Sequence, residues 1–217
     1  MEQIVSGVGV LDKAVVLLGV LERGPLGLNG LAEASGLPRA TCHRLAVALE
    51  DHGLVRRDGD GRFCLGYRLV ALGRAAAAGA PLRDIARPVL EELRTHTGES
   101  VQLYVRQGQW RVCVLSLESP AELRTIVAEG ATLPLDRGSA GKILAAPEWP
   151  IDQAWAESVG EREAGVASVS APVRDGSGAV VAAVSVSGPA ERLGTHPGHR
   201  FGNETARAAG ALSAALV

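Results

Sequence analysis

Apolar positions three and four residues apart dominate both ends of the chain, and a period-two alternation takes over between them. From Gly9 to Glu22 a broad stripe of Val10, Leu11, Ala14, Val15, Leu17, Leu18 and Leu21 predicts an amphipathic helix. A shorter helix is expected over Asn29–Ala34, with Leu31 and Ala34 inward, Asn29 capping free N–H groups and Gly36 breaking it. Leu37 can pack in the turn. Pro38 suits the first position of a third helix, where its missing N–H costs nothing, and that helix runs to about His52 before Gly53. Its positions Cys42, Leu45, Ala48 and Leu49 share one buried face, while Arg39, Thr41, His43 and Arg44 lie opposite, near its start, with no acid until Glu50. Leu54–Arg57 and Arg62–Leu65 flank Asp58-Gly59-Asp60-Gly61 as a β-hairpin. Three helices followed by a hairpin describe a winged helix-turn-helix, a DNA-reading device. Residues Arg39 to Arg44, including Ala40, then face a major groove, and Arg62 in the wing faces phosphate or the minor groove.

Tyr67–Gly79, rich in Ala and Leu, reads as a linker helix, and Pro81 marks a boundary. Leu82, Ile85, Ala86, Val89, Leu90 and Leu93 place a helix over Leu82–Thr97. Beyond Gly98, strands are expected over Val101–Arg106 and Trp110–Leu117 as a hairpin, Leu123–Ala128, and Val166–Val173 with Ala179–Ser187 as a second hairpin. A helix over Gly202–Leu216 closes the chain. The fold class is therefore α+β, with a winged helix over 1–66, a linker helix over 67–81, and over 82–217 a domain of helices against a mainly antiparallel sheet.

Composition narrows the function. An apolar content of 47% fills two small cores, and 22 basic against 24 acidic residues argue against indiscriminate nucleic-acid binding. Specific binding survives this balance, since a few cations on one face suffice and a dimer doubles them. Cys42, Cys64 and Cys113 have no paired spacing and read as small buried residues in a reducing compartment. With no signal peptide and no long apolar run, a cytoplasmic protein without membrane contact is expected.

Ala131–Lys142 is a Gly-rich turn leading into a short helix whose free N–H groups suit an anion. It is not a P-loop, because Asp136 stands for the first Gly and Ile143 for the magnesium-binding hydroxyl. Ser168 with Ser170, and Ser185 with Ser187, add hydroxyls on paired strands, and alternate residues share a face. A small hydroxy- or keto-acid fits such a site. Catalysis does not: no His stands beside a candidate nucleophile, and His196-Pro197-Gly198-His199 reads as a surface turn, not a metal site. No cofactor is expected.

With both halves read, the chain resembles the IclR family of bacterial transcription regulators along nearly its whole length. The carrying residues are Gly9–Ala14, Leu37–Leu45, Gly138–Lys142 and, most specifically, Ser170–Asp175 and Val184–Pro189 within Gly165–Pro189. Gly98–Tyr104 and Gly160–Glu163 look like the branch tied to leucine and related amino-acid biosynthesis. The resemblance implies a curved effector-domain sheet, homodimers that often pair into tetramers, a double-stranded DNA operator and a small organic acid effector. It places effector contacts at Ser139, Ala140, Ser158, Val166, Ser168, Ser185 and Ser187. It also implies roughly twenty further residues, about one helix and its loops, between Pro150 and Ile151. Because Ile151–Trp155 reads as the interior of a helix without its own cap, Pro150 and Ile151 are expected not to be true neighbours. The leading function is a ligand-responsive transcription regulator. A metabolite-sensing or protein-interaction module is the alternative, and an acid-transforming enzyme the third.

Overall fold

The computed structural model describes residues 7–78, 81–146 and 148–216. It divides into two compact units, 1–79 and 80–217. The first holds α1 (Gly9–Leu21), α2 (Leu28–Ser35), α3 (Arg39–Asp51), the hairpin β1 (Val55–Arg57) with β2 (Phe63–Leu65), and α4 (Arg68–Ala78). Leu17, Leu31, Cys42, Ala46, Val55 and Phe63 form its core. Gly36 ends α2 in the left-handed conformation at φ 67°, where a Cβ would be strained. Gly66 lies so close to the Gly53 carbonyl that a Cβ would overlap it, so only glycine lets the strand leave the wing there.

Several local expectations need correction. Gly27, not Asn29, is the N-cap of α2, and Pro38 caps α3 instead of opening it. Ala34 and Ala48 are exposed, and the buried face of α3 runs through Cys42, Ala46 and Leu49, the i, i+4, i+7 row. The stripe of α1 is only partly used within the chain. Leu17 and Leu21 are buried, whereas Val10, Leu11 and Val15 each expose more than half their surface.

The second unit holds α5 (Pro81–Thr97), β3 (Ser100–Gln107), β4 (Trp110–Leu117), β5 (Thr132–Pro134), α6 (Ser139–Ala145), β6 (Ala156–Val159), β7 (Val166–Arg174), β8 (Val180–Pro189), α7 (Ala190–Leu193) and α8 (Pro197–Ala214). The strands make one six-stranded sheet in the order β5-β4-β3-β8-β7-β6, antiparallel at every pairing. Helices α5 and α8 cover one face and α6 the other. Alternation sorts the side chains. On β3, Val101 and Leu103 enter the core under α5 and α8, while Tyr104 enters the smaller core under α6.

Leu123–Ala128 is irregular instead of a strand, and His196–His199 is not a surface turn, because Pro197 already opens α8. Among the described residues no group of His, Cys, Asp and Glu could hold a metal, and no helix is long and apolar enough to cross a membrane. The chain passes from Pro150 directly into Ile151 through a turn in which the Pro150 carbonyl accepts the Gln153 N–H at 3.3 Å. No helix forms at Ile151–Trp155; Ile151 is 89% exposed, and β6 begins at Ala156. The segment is fastened by its polar groups, Trp149 Nε1 donating to the Gln153 carbonyl (2.7 Å) and Arg174 Nη2 to the Trp149 carbonyl (2.7 Å). The helical interior expected at Ile151–Trp155 is thus a turn leading into a strand.

Candidate functional site

Two regions carry the residues singled out by the sequence. At the start of α3, Arg39, Ala40, His43 and Arg44 are exposed and Thr41 is half-buried. Thr41 and Arg44 share a groove with Val10 and the exposed Lys13 of α1, a cation the sequence pattern gave no reason to select. Arg39 is tethered, its Nε donating to Asn29 Oδ1 at 2.9 Å. Arg62 is more firmly held. Its Nε reaches Asp58 Oδ2 at 2.8 Å and its Nη2 reaches Asp60 Oδ2 at 3.1 Å. Desolvation alone would raise Asp58, but N–H groups of Arg62 and Asp60 and the Arg62 guanidinium outweigh it and hold that carboxyl below its ordinary range. Wing-tip charge is therefore largely spent within the wing.

The second region is a cavity in the 80–217 unit. Ser139, Ala140, Ser158, Val166, Ser168, Ser185 and Ser187 all line it. Strand register explains the convergence. Ser158 pairs with Ser168, Ser168 with Ser187, and Ser170 with Ser185, so a ladder of hydroxyls crosses β6, β7 and β8 on the α6 side. Ser139 Oγ, at the first residue of α6, lies 2.7 Å from both Ser168 Oγ and Ser170 Oγ. Ser187 Oγ donates to Gln102 Oε1 at 3.0 Å, leaving the fully buried Gln102 Nε2 without a partner.

Four further residues complete the wall: Tyr104, Arg111, Gly138 and Arg162. Arg111 is only 3% exposed. Its Nη1 donates to the carbonyls of Pro134 (2.8 Å) and Arg137 (2.6 Å), its Nε has no partner, and its guanidinium stacks 5.4 Å from the Tyr104 ring. Burial pushes the Arg111 guanidinium down from its ordinary value, with the neighbouring Arg162 charge adding to the effect. Tyr104 is pushed up, chiefly by burial, and stays protonated at neutral pH. The Gly-rich turn has a different purpose from the one its sequence suggests. A Cβ at Gly138 or Gly141 would meet the Arg111 guanidinium, so these glycines make room for a buried cation.

The α6 start is occupied from within. Glu161 Oε2 accepts the Gly138 N–H at 3.2 Å, and Glu161 Oε1 accepts from Lys142 Nζ at 2.6 Å. The enclosed space is about 20 Å³, room for one water, and about 360 Å³ when its open mouth is counted.

A β-bulge hid Arg111 from the sequence pattern. Leu103 pairs with Leu115 but Tyr104 pairs with Cys113, so Val114 is an extra residue. Beyond it the odd-numbered residues of β4 change faces: Leu115 enters the core under α5 and α8, whereas Cys113 enters the one under α6. Strict alternation would have kept Arg111 with Leu115.

Comparison with known proteins agrees with both regions. Residues 10–59 match the IclR helix-turn-helix domain, and residues 74–152 and 151–214 match the bacterial transcriptional regulator IclR C-terminal domain. The latter matches as two stretches that overlap at Ile151 and Asp152. The glycerol operon regulatory protein of Streptomyces griseus is 30% identical over 217 residues, covering 84% of this chain and 85% of that one. The HTH-type transcriptional regulator KipR of Bacillus subtilis is 32% identical over 133 residues, 61% of this chain but about half, 53%, of that protein. Among solved structures, the Thermotoga maritima IclR superposes with a TM-score of 0.74 at 23% identity, over 96% of this chain and 98% of that one. An IclR homologue from Microbacterium hydrocarbonoxydans, complexed with 4-hydroxybenzoate, gives 0.78 at 21% identity, over 95% and 98%. At these identities the structural likeness is one of fold. Taken with the domain matches along nearly its whole length, it follows that the chain belongs to the IclR family of DNA-binding bacterial transcriptional regulators and is not an enzyme.

Proposed function

We propose that this protein reads an operator through the start of α3 and that a small organic acid held in the serine-lined cavity changes its affinity for that DNA. The observation that carries the reading is the exposed, acid-free start of α3, where Arg39, His43 and Arg44 can reach base edges while the preceding helices fix the angle of approach. The acid is supported by the convergence of hydroxyls and a buried guanidinium in one cavity, and by the 4-hydroxybenzoate complex of the Microbacterium homologue. A ligand larger than one water requires the wall to move. The turn between Gly160 and Gly165, which carries Arg162, is the wall element nearest solvent on the β6–β7 side.

Homodimerisation belongs to the same reading. Val10, Leu11 and Val15 leave an apolar face of α1 uncovered, and pairing two readers brings two successive major grooves within reach. Pairing of dimers is an extension of that reading. No target operon is named: the leucine-related branch finds no support among relatives that include glycerol operon regulators. The test is fluorescence anisotropy with the DNA upstream of the protein's own gene, with and without pyruvate and 2-oxoisovalerate. Saturable, sequence-dependent binding that shifts with an acid supports the reading. Absence of specific binding would instead favour an interaction module.

A further inference from the structure

Two guanidinium groups, Arg111 and Arg162, face the serine-lined cavity, and no carboxylate lines it with them among the described residues. Arg111 is 97% buried, and among the described residues its hydrogen bonds go to two carbonyl oxygens, which carry partial charge. A buried cation without a counter-charge is strongly unfavourable unless something supplies one. The acids nearby are committed elsewhere, and Asp136, the one whose charge reaches Arg111, is paired with Arg137 on the surface and does not line the cavity. Glu161 is held by Lys142 and the Gly138 N–H, and Glu163, 69% exposed, comes no nearer to Arg162 than 3.8 Å.

The two guanidiniums also arrive from opposite walls. Arg111 rises from β4 and Arg162 hangs from the turn after β6, with β3, β8 and β7 lying between those strands in the sheet. At about 4.8 Å per strand, the sheet must bring together groups rooted far apart in it. Such a site brings two guanidiniums, rooted on separate strands, onto one hydroxyl-lined cavity, one for each carboxylate of a diacid.

Resting on the effector-site reading above, we propose that Arg111 and Arg162 make the cavity selective for a small dicarboxylate, one carboxylate at each guanidinium, with Ser139, Ser168 and Ser187 along its length. Tyr104, kept protonated by burial, adds a donor on the Arg111 side.

Calorimetric titration of the full chain at neutral pH tests this, using malonate and succinate, their monomethyl esters, and inorganic phosphate. The diacid is expected to bind at least roughly tenfold more tightly than its monoester, because the ester replaces one charged carboxylate with a neutral group that cannot ion-pair with a guanidinium. Arg162→Gln, on a partly exposed turn, should bring that ratio close to one by lowering diacid affinity far more than monoester affinity. Arg111→Lys should lower affinity for both, with thermal melting to establish that it folds. Equal affinity for diacid and monoester overturns the proposal, as do a preference that survives Arg162→Gln, a preference for phosphate, or no binding by any of these anions. Operator binding is read separately by anisotropy. Its loss would sink the regulator reading without altering the diacid ratio, and an operator response to monoacids alone would keep that reading and overturn this one.

Discussion

Arg44 and Arg62 look alike in the sequence, two arginines in a DNA-reading module, but their surroundings give them different expected weights. Arg44 is exposed on α3 beside Thr41 and Lys13, with no ion-pair partner among the described residues, so Arg44→Ala should weaken operator binding by about 1–3 kcal/mol if it reads a base bidentately. Wild-type affinity in a folded Arg44→Ala protein, measured by anisotropy, would contradict that placement. Arg39→Ala should cost less, since Arg39 must first leave Asn29. For Arg62 the informative change is in its partners: Asp60→Asn should release Nη2 while Asp58 still holds Nε, remove one repelling charge, raise affinity for DNA of any sequence, and steepen the salt dependence. An unchanged salt slope would mean that the wing does not touch phosphate. That the start of α3 is exposed was legible from helical periodicity; which arginines are already engaged was not, because Asn29 with Arg39 and Asp58 with Arg62 depend on how side chains meet after folding. The hydroxyl ladder was legible for the opposite reason, as period two and a short hairpin turn place Ser168 against Ser187 with little freedom.

Long helices, long strands and the wing hairpin could be read from the chain; the short edge strands β5 and β6 could not. β5 and β6 span three and four residues and carry little periodicity, and each is held by a neighbouring strand instead of by its own pattern. Leu123–Ala128 shows the reverse error. It has the apolar character of a strand but follows an irregular path, where the Thr125 carbonyl accepts from Ser100 Oγ at 2.7 Å. Two expectations belong at this scale. Gly66→Ala should destabilise the winged helix by about 1–3 kcal/mol, because a Cβ there overlaps the Gly53 carbonyl and the Leu54 backbone; chemical denaturation measures it, and a neutral result would mean that the wing shifts freely. The Glu161 tie between the β6–β7 turn and α6 should depend on acidity. Desolvation raises this carboxyl, but the Lys142 ammonium and the Gly138 N–H outweigh it, so its folded value lies below the ordinary glutamate range. Its contribution is therefore present above the ordinary glutamate value and is lost as pH falls through the lowered folded value. Glu161→Gln should flatten the acid limb of a stability profile in that window, and an unchanged limb would show that the tie carries no weight.

At the scale of the whole molecule, the uncovered face of α1 is where the proposed pairing with a second copy can be tested. Val15→Glu should leave the core residues Leu17 and Leu21 in place, yet lower operator affinity and shift sedimentation toward monomer. A dimer that persists would move the interface elsewhere.

The pairing of β3 with β8 has a consequence for how the protein is made. Gln102 lies beside Ser185 at the centre of the sheet, while the core of the winged helix is complete by Leu65. On a ribosome, the winged helix can close while most of the second unit is still unsynthesised; the sheet cannot, because its middle strand waits for a partner more than eighty residues later in the chain. During that interval β3 presents an unpaired edge. Synthesis that stalls before β8 would therefore release a chain able to fold its DNA-reading half but unable to build the cavity, and prone to aggregate through the exposed edge of β3.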